Sequence, residues 1–200
     1  MKLKEDKCPL CGRLVEDYGL CQECISLINK DPAYYYDIEG LDDLIVSSTY
    51  SGIMRRLIID FKFKGKLSYG EIISEIMTEK ILDKNLRDQV ITYVPMHWKK
   101  EGERGYNQSK ILAEKIARNL DLSCQDVFEK VIDTKFQVGL KKFDREENLR
   151  GAFHVKNYAE EIIIVDDVIT TGATISELTK IAKKAGIKKV TALIAATEIA

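Results

Sequence analysis

Four cysteines near the amino terminus have the spacing of a metal site. They form two C-x2-C pairs, Cys8 with Cys11 and Cys21 with Cys24, separated by nine residues. Each pair can turn two thiolates towards one ion, and two pairs complete the tetrahedral sulfur shell that zinc prefers in structural sites. Redox dithiols, an iron–sulfur cluster and incidental thiols are the alternatives, and the paired spacing favours a closed zinc site over them. Cys124 stands apart and receives no role.

A second group of polar residues follows an apolar run near the carboxyl terminus. The run Ile162–Val165 predicts a buried strand, and Asp166 and Asp167 come directly after it. Small and hydroxyl residues then lead into a predicted helix, and the candidate ligand-binding positions are Val168, Thr170, Thr171, Gly172, Ala173 and Thr174. Free N–H groups at a helix start, with threonine hydroxyls, can cradle a phosphate monoester. The two carboxylates could accept hydrogen bonds from sugar hydroxyls or hold magnesium through water.

Each part of this second group also has an ordinary structural explanation. An Asp-Asp pair can begin a loop, and Thr-Thr-Gly can cap a helix. A Walker-B strand of an ATPase is excluded, because the sequence contains no G-x4-G-K-[ST] motif. The combination of strand, acidic pair, small-residue loop and helix favours phosphate binding over these explanations.

A cationic stretch follows another predicted strand, Val90–Val94. It contains Lys99, Lys100 and Arg104 together with two glycines. A flexible cationic loop suits the charges of a pyrophosphate group, and Lys99 and Arg104 are the candidates for that contact. A solvated surface loop is the alternative. His97 could be a general base, but a packing or hydrogen-bonding role beside its aromatic neighbour is favoured.

Two other segments carry weaker signals. The run Arg55–Lys66 is basic and includes Phe61 and Phe63, so it could bind nucleic acid, although the same aromatic residues also fit the core face of a helix. The stretch Gln137–Arg150, with Arg145 and Asn148, is interpreted as a mobile cover for a site, and a charged surface helix is the alternative.

The apolar periods that must position these residues alternate between strand and helix. Strands are predicted at 44–50, 90–94, 127–132, 162–165 and 189–196, and helices at 52–62, 69–82, 109–120 and 172–184. Such alternation predicts an α/β fold with a mainly parallel sheet flanked by helices, whose ligands bind beyond the carboxyl ends of the strands. We expect three parts: a four-cysteine zinc ribbon at 1–30, a connector at 31–43 and the main domain at 44–200.

Composition excludes several classes of protein. The 31 lysines and arginines nearly cancel the 32 acidic residues, and a net charge of −1 argues against a general polyanion-binding protein. No apolar run reaches the ~18 residues of a membrane span, so no membrane insertion is expected. The amino terminus is charged and lacks an apolar signal core, which predicts a cytoplasmic location.

In this order, the motifs resemble the ComF family of phosphoribosyltransferase-like proteins. The resemblance is carried by the four cysteines, the string Arg104–Gln108, the pattern from Gln137 to Asn148 and the stretch Val165–Thr174. It implies a type I phosphoribosyltransferase fold with an amino-terminal zinc ribbon, and 5-phosphoribosyl 1-pyrophosphate (PRPP) with Mg2+ as the ligand. It also implies a role in natural transformation, in which incoming single-stranded DNA is handled and competence proteins are candidate partners.

The resemblance assigns roles to the candidate residues. Asp166 and Asp167 are expected to be the catalytic pair and to bind the ribose hydroxyls, the loop Thr170–Thr174 to hold the 5′-phosphate, and Lys99 and Arg104 to contact the pyrophosphate. Pentosyl transfer from PRPP is the expected enzyme activity. Two alternatives remain open: a non-catalytic DNA-binding competence factor that uses PRPP as a regulatory ligand, and a nucleotide-salvage phosphoribosyltransferase.

Overall fold

The computed structural model describes residues 6–15, 19–84, 86, 89–133, 149 and 151–198. The elements in chain order are β1 Asp6–Lys7, β2 Leu14–Val15, α1 Gln22–Ser26, β3 Asp43–Val46, α2 Gly52–Phe63, α3 Leu67–Glu79, β4 Gln89–Tyr93, α4 Trp98–Arg104, α5 Gln108–Leu120, β5 Phe128–Lys130, β6 Phe153–Val155, β7 Glu161–Ile169, α6 Ala173–Lys184 and β8 Lys189–Thr197. Strands and helices alternate through the main domain, as the apolar periods predict.

A four-stranded parallel sheet forms the centre of the main domain. Its strand order is β3-β8-β7-β4, and every neighbouring pair runs parallel. The residues Ile162–Val165 of β7 are fully buried, because the sheet is covered on both faces. This arrangement confirms the predicted fold class, a mainly parallel sheet flanked by helices.

Alternate residues of β7 enter two separate cores. Ile163 and Val165 join the core that α2, α3 and α5 cover, whereas Ile162 and Ile164 join the core that α6 covers. Close packing in the first core requires Gly70 of α3, because a Cβ atom there would lie 2.9 Å from the ring of Phe61. The helices therefore occupy the faces of the sheet and leave its carboxyl edge to the loops that follow β4 and β7.

The four-cysteine segment packs against the first core. Cys8, Cys24 and Ile28 are buried in the same cluster as side chains of α2 and α3. The Tyr69 hydroxyl of α3 donates a hydrogen bond to the Pro9 carbonyl at 3.3 Å. The segment itself consists of the antiparallel pair β1–β2 followed by α1.

Strand β7 is longer than predicted. It continues from the expected end at Val165 to Ile169, because its pairing with β8 extends to the Ile169–Thr197 register. The acidic pair therefore lies inside the carboxyl-terminal part of the strand, rather than in a loop after it.

Other predictions also differ from the observed elements. The strand predicted at 44–50 is shorter, because β3 ends at Val46. The cationic stretch after β4 is largely helical, because it forms α4, which begins after His97 and ends at Gly105 with a φ of 88°. The strand predicted at 127–132 is present as β5, but it pairs with β6 in a separate two-stranded sheet. The stretch Gln137–Arg150, predicted as a cover, lies outside the described residues except for Leu149. Among the described helices, none has the length and apolar character needed to cross a bilayer.

Candidate functional site

The two adjacent carboxylates of β7 have different surroundings. Asp166 Oδ1 accepts a hydrogen bond from the Ser109 hydroxyl at 2.7 Å and one from the Asp167 N–H at 2.9 Å. Burial raises the pKa of Asp166 to about 7, and the negative charge of Asp167 contributes to the rise. Asp167 is buried and forms an ion pair instead. One carboxyl group thus titrates near neutrality, and the other is held by a cation.

The cation beside Asp167 is Lys62, at the end of α2. Its Nζ lies 2.8 Å from Oδ2 and 3.1 Å from Oδ1 of Asp167. Burial lowers the pKa of Lys62, but attraction by Asp167 and Asp166 outweighs this effect and leaves the pKa above its usual value. Sequence reasoning assigned Lys62 to a basic run, and only the packing of α2 beside β7 identifies it as a site residue.

The other lysines of that basic run also have partners within the chain. Asp60 is buried, and it binds Lys64 at 2.7 Å and Lys66 at 2.8 Å. The hydrogen bonds from Lys64 and Lys66 lower the pKa of Asp60 to about 2. The three lysines between 62 and 66 therefore neutralise carboxylates of the chain itself, which removes much of the reason for expecting nucleic acid there.

The loop after β7 forms a small cavity with Asp166, the first residue of the acidic pair. Its lining comprises Asp166, Val168, Ile169, Thr170, Thr171, Gly172, Ala173, Thr174 and Ile175. Gly172 precedes α6 with a φ of 78°, and the first N–H groups of a helix have no partner within the helix. The Thr171 hydroxyl accepts a hydrogen bond from the Ala173 N–H at 3.4 Å. The structure thus gathers all six positions predicted from 168 to 174 around one cavity next to Asp166.

The string Arg104–Ser109 connects the ends of β4 and β7. Asn107 caps α5 by accepting from the Ser109 N–H at 3.0 Å, and its side-chain amide donates to the Val94 carbonyl at 3.1 Å. Arg104 donates to Gln108 Oε1 at 2.7 Å and lies over the ring of Phe63 at 5.3 Å. Since Ser109 also holds Asp166, this string fixes the carboxylate relative to the neighbouring strand.

The predicted pyrophosphate candidates differ in position. The positive charge of Arg104 lowers the pKa of Lys62, so Arg104 lies near the ion pair of Lys62 with Asp167. Lys99 lies over the ring of the exposed Trp98 at 5.5 Å, and within the described part of the chain no hydrogen bond or ion pair joins it to the acidic pair. His97 is buried, and its Nδ1 accepts from the Lys99 N–H at 3.4 Å, which is a helix-capping contact and agrees with the favoured structural role.

Lys130 is a second cation that the sequence did not identify. It lies on β5, over the ring of Phe153 at 5.1 Å. Burial lowers its pKa to about 8, repulsion by Lys100 adds to the decrease, and Asp133 and Asp166 oppose it. A single lysine within an apolar run has no sequence signal of function, so only the tertiary structure relates it to Asp166.

The four amino-terminal cysteines converge. Their Sγ atoms all lie within 4.8 Å of one another, and Cys11 and Cys21 are 3.5 Å apart. Tetrahedral thiolates at zinc–sulfur distances of about 2.3 Å are themselves about 3.8 Å apart, so the group fits a zinc ion. The four cysteines could therefore hold a metal ion. Cys124 lies elsewhere, and burial raises the pKa of its thiol to about 11.

Comparisons with known proteins agree with the sequence motifs. The chain is 27% identical over 194 residues to competence protein F of Haemophilus influenzae, which covers 92% of this chain and 81% of that protein. It is 27% identical to the DNA utilization protein YhgH of Escherichia coli K12, covering 90% and 78% of the two chains. It is 28% identical to competence protein ComFC of Bacillus subtilis, covering 84% and 68%.

Family models and solved structures give weaker results. No family model matches the chain. An orotate phosphoribosyltransferase from Aeropyrum pernix shares 17% identity with a TM-score of 0.41, covering 70% of this chain and 63% of that one.

The fold and the relatives agree with the expectations from the sequence. The parallel sheet with helices on both faces and the convergent cysteines match the expected α/β architecture with an amino-terminal four-cysteine module. The similarity to competence protein F, YhgH and ComFC extends along most of the chain and supports the resemblance to the ComF family.

Proposed function

We propose that the chain binds PRPP with Mg2+ at the carboxyl edge of its parallel sheet. One observation carries this proposal: Asp166, Asp167 and the loop Thr170–Thr174 follow one another at the end of β7, and Asp166 lines the same cavity as the loop. Free N–H groups at the start of α6 suit a phosphate monoester. Carboxylates directly before such a loop suit the ribose hydroxyls of the same ligand.

Each part of PRPP has a counterpart at this edge. The loop Thr170–Thr174 would hold the 5′-phosphate, and Asp166 and Asp167 the ribose hydroxyls. Arg104 and Lys99 are the proposed pyrophosphate contacts. Arg104 is favoured of the two, because it bonds to Gln108, whose neighbour Ser109 holds Asp166. Lys62 neutralises Asp167, which lowers the repulsion that a polyanionic ligand would otherwise meet.

The carboxylate chemistry allows a magnesium ion beside the ligand. Oxygen donors such as Asp166 and Asp167 are the groups that Mg2+ prefers, and they could hold it through water. When bound, the ion would neutralise the pyrophosphate as it leaves C1 of the ribose. The chain's own contribution is to orient the two carboxylates: Ser109 fixes Asp166 and Lys62 fixes Asp167. Asn107 ties α5, the helix that carries Ser109, to the end of β4.

Calorimetric titration with PRPP tests the proposal. Wild-type protein should bind PRPP in the presence of Mg2+, and Asp166→Asn with Asp167→Asn should weaken binding by at least about 100-fold, because two hydrogen bonds to charged groups are lost. Glu160→Gln with Glu161→Gln removes two adjacent carboxylates at the opposite end of β7 and is the matched control. Equal affinity of the wild type and the double variant would refute the assignment of the acidic pair. Pyrophosphate release with candidate bases and amines then separates an enzyme from a binding protein.

A structural zinc ion is proposed for the amino-terminal module. The closed set of four thiolates offers a complete tetrahedral shell with no open position for substrate. Its expected role is to fold a segment that is too small to build a core of its own.

A DNA-handling role in competence is proposed as well, since the relatives are named competence and DNA utilization proteins. Two exposed aromatic residues support it: Phe63 is 67% and Trp98 71% exposed, and each lies beside a cation. Exposed rings with adjacent cations are typical platforms for unpaired bases. This places the proposed contact at these rings instead of along the lysines at 62–66.

Titration of a labelled single-stranded oligonucleotide tests the DNA contact. Trp98→Ala should weaken binding by about 5- to 100-fold, the range of one stacked base. Tyr35→Ala, which removes an exposed aromatic ring elsewhere, should leave the affinity unchanged. Binding that does not weaken as salt increases would contradict a contact with the phosphate backbone.

A further inference from the structure

The segment 34–42, expected only as part of a connector, packs beside the loop that follows β7. Its side chains alternate, because Tyr36 and Ile38 are partly buried, whereas Tyr35 is 87% exposed. Both inward side chains pack on the core that α6 covers. We name residues 34–42 the strap.

The strap is fastened at both ends. The Tyr34 hydroxyl donates to the Leu44 carbonyl at 2.8 Å. At the other end, Asp42 accepts from Lys183 Nζ at 2.6 Å and from the Val190 N–H at 2.7 Å. These bonds tie the strap to β3, α6 and β8, so its middle is held against the sheet.

The first three residues of the loop, Thr170–Gly172, lie between the end of β7 and the start of α6. The middle of the strap contacts both ends of this part of the loop. The Tyr36 hydroxyl lies 2.7 Å from Thr197 Oγ1 and donates to the Ile169 carbonyl at 3.4 Å, directly before the loop. At the last loop residue, a Cβ atom on Gly172 would lie 3.3 Å from Ile38 Cδ1 and 3.4 Å from a ring carbon of Tyr36. Gly172 therefore satisfies two constraints at once, a positive φ and a close approach of the strap.

The geometry points to the strap as a positioning element of the phosphate site, in which Tyr36 and Ile38 hold the loop so that its N–H groups converge on a phosphate monoester. This inference rests on the proposed function. Neither residue lines the cavity, so both act through the backbone of the loop. A loop held in its binding conformation avoids the entropic cost of ordering when the ligand arrives.

Binding of ribose 5-phosphate, measured by calorimetry, tests the inference. The double variant Tyr36→Phe with Ile38→Ala should bind about 5- to 50-fold more weakly, through loss of a hydrogen bond and of side-chain packing. Tyr35→Phe makes the same chemical change at an exposed neighbour and should bind within twofold of the wild type. Thr197→Val added to Tyr36→Phe should weaken binding by no more than about twofold further. Tyr36→Phe already removes the hydrogen bond between the two hydroxyls, and the other bond of Thr197 goes to Glu198, outside the loop.

Amide hydrogen exchange without ligand supplies a second measurement. The amides of residues 170–173 should exchange at least about fivefold faster in the double variant than in Tyr35→Phe, since local opening becomes easier. Unchanged exchange, or unchanged ribose 5-phosphate affinity in a binding-competent protein, would show that the strap does not position the loop. If the wild type binds neither ribose 5-phosphate nor Mg-PRPP while the double variant exchanges faster, the proposed ligand is wrong and the strap's hold on the loop is upheld.

Discussion

The cysteine module and the carboxyl edge of the sheet each bring together side chains that repel one another when they are negatively charged. The two regions differ in how that negative charge is neutralised. In the module, four Sγ atoms face one another within 4.8 Å, an arrangement suited to an added metal ion. At the edge, the chain supplies the balance itself, because Lys62 pairs with Asp167 and Ser109 donates to Asp166. The first arrangement is therefore suited to a bound ion, whereas in the second the balancing groups come from the chain itself.

Removal of the proposed zinc ion gives the largest expected difference between the two regions. Chelation should abolish the protease protection of residues 1–30, since apparent zinc-binding energies of about 10–16 kcal/mol drive the folding of such modules. The fold of the main domain, including the acidic edge, should persist. Limited proteolysis with mass spectrometry measures both.

Two cysteine variants provide the control for that experiment. Cys24→Ser should reproduce the effect of chelation, and Cys124→Ser should not, because Cys124 lies outside the cluster. Protection of residues 1–30 that survives chelation would show that packing on the first core is sufficient.

Loss of the internal cation should have the next largest effect. Lys62→Gln leaves Asp167 buried without its counter-charge and should weaken Mg-PRPP binding by about 10- to 100-fold. Lys64→Gln removes an equal charge two residues away, where Lys66 still balances Asp60, and should bind within twofold of the wild type. Equal losses in both variants, measured by calorimetry, would indicate a general charge effect.

The free energy of unfolding should depend on pH in opposite ways through two carboxyl groups, Asp166 at the end of β7 and Asp60 in α2. Burial and then Asp167 raise the folded pKa of Asp166 to about 7, above an unfolded value of about 3.9. The folded state thus binds the Asp166 proton more tightly, and the resulting stability is present below about pH 4 and lost as the pH rises through about 7. The wild type should therefore lose stability from pH 5 to pH 8, whereas asparagine does not titrate. The urea midpoint of Asp166→Asn should rise relative to that of the wild type over this range.

The contribution of Asp60 to stability depends on pH with the opposite sign. Lys64 and Lys66 lower its pKa to about 2, so its stabilisation is present above about pH 4 and is lost only as the pH falls towards 2. The difference between Asp60→Asn and the wild type should stay constant from pH 5 to pH 8. A constant difference for Asp166→Asn over the same range would contradict the raised pKa.

The smallest expected effect is at Lys130. Its positive charge favours the ionised form of Asp166, so Lys130→Gln should move the pKa of Asp166 upward, by less than about one unit. Carboxyl carbon chemical shifts followed by NMR measure this change. A downward movement would show that lost burial around Phe153 outweighs the lost charge.

Local patterns were most informative where the residues concerned are neighbours in the sequence. The stretch from Val165 to Thr174 contains strand, acidic pair, loop and helix start in one run, and the structure brings Asp166 and the loop around one cavity. The predicted end of β7 was wrong by four residues, because the pairing of β7 with β8 extends past the apolar part of the strand. Helix α4 was missed, because a short charged segment with two glycines has no apolar period.

The sequence by itself determined the parallel α/β architecture and the contents of the loop after β7, because apolar periods and local spacing encode both. It also determined the convergence of the four cysteines, since two C-x2-C pairs leave few other arrangements. Only the tertiary structure decided that Lys62 holds Asp167 and that Tyr36 reaches Thr197, because these contacts join residues separated by more than 100 positions. No local pattern can encode such contacts, which depend on how helices and strap pack against the completed sheet.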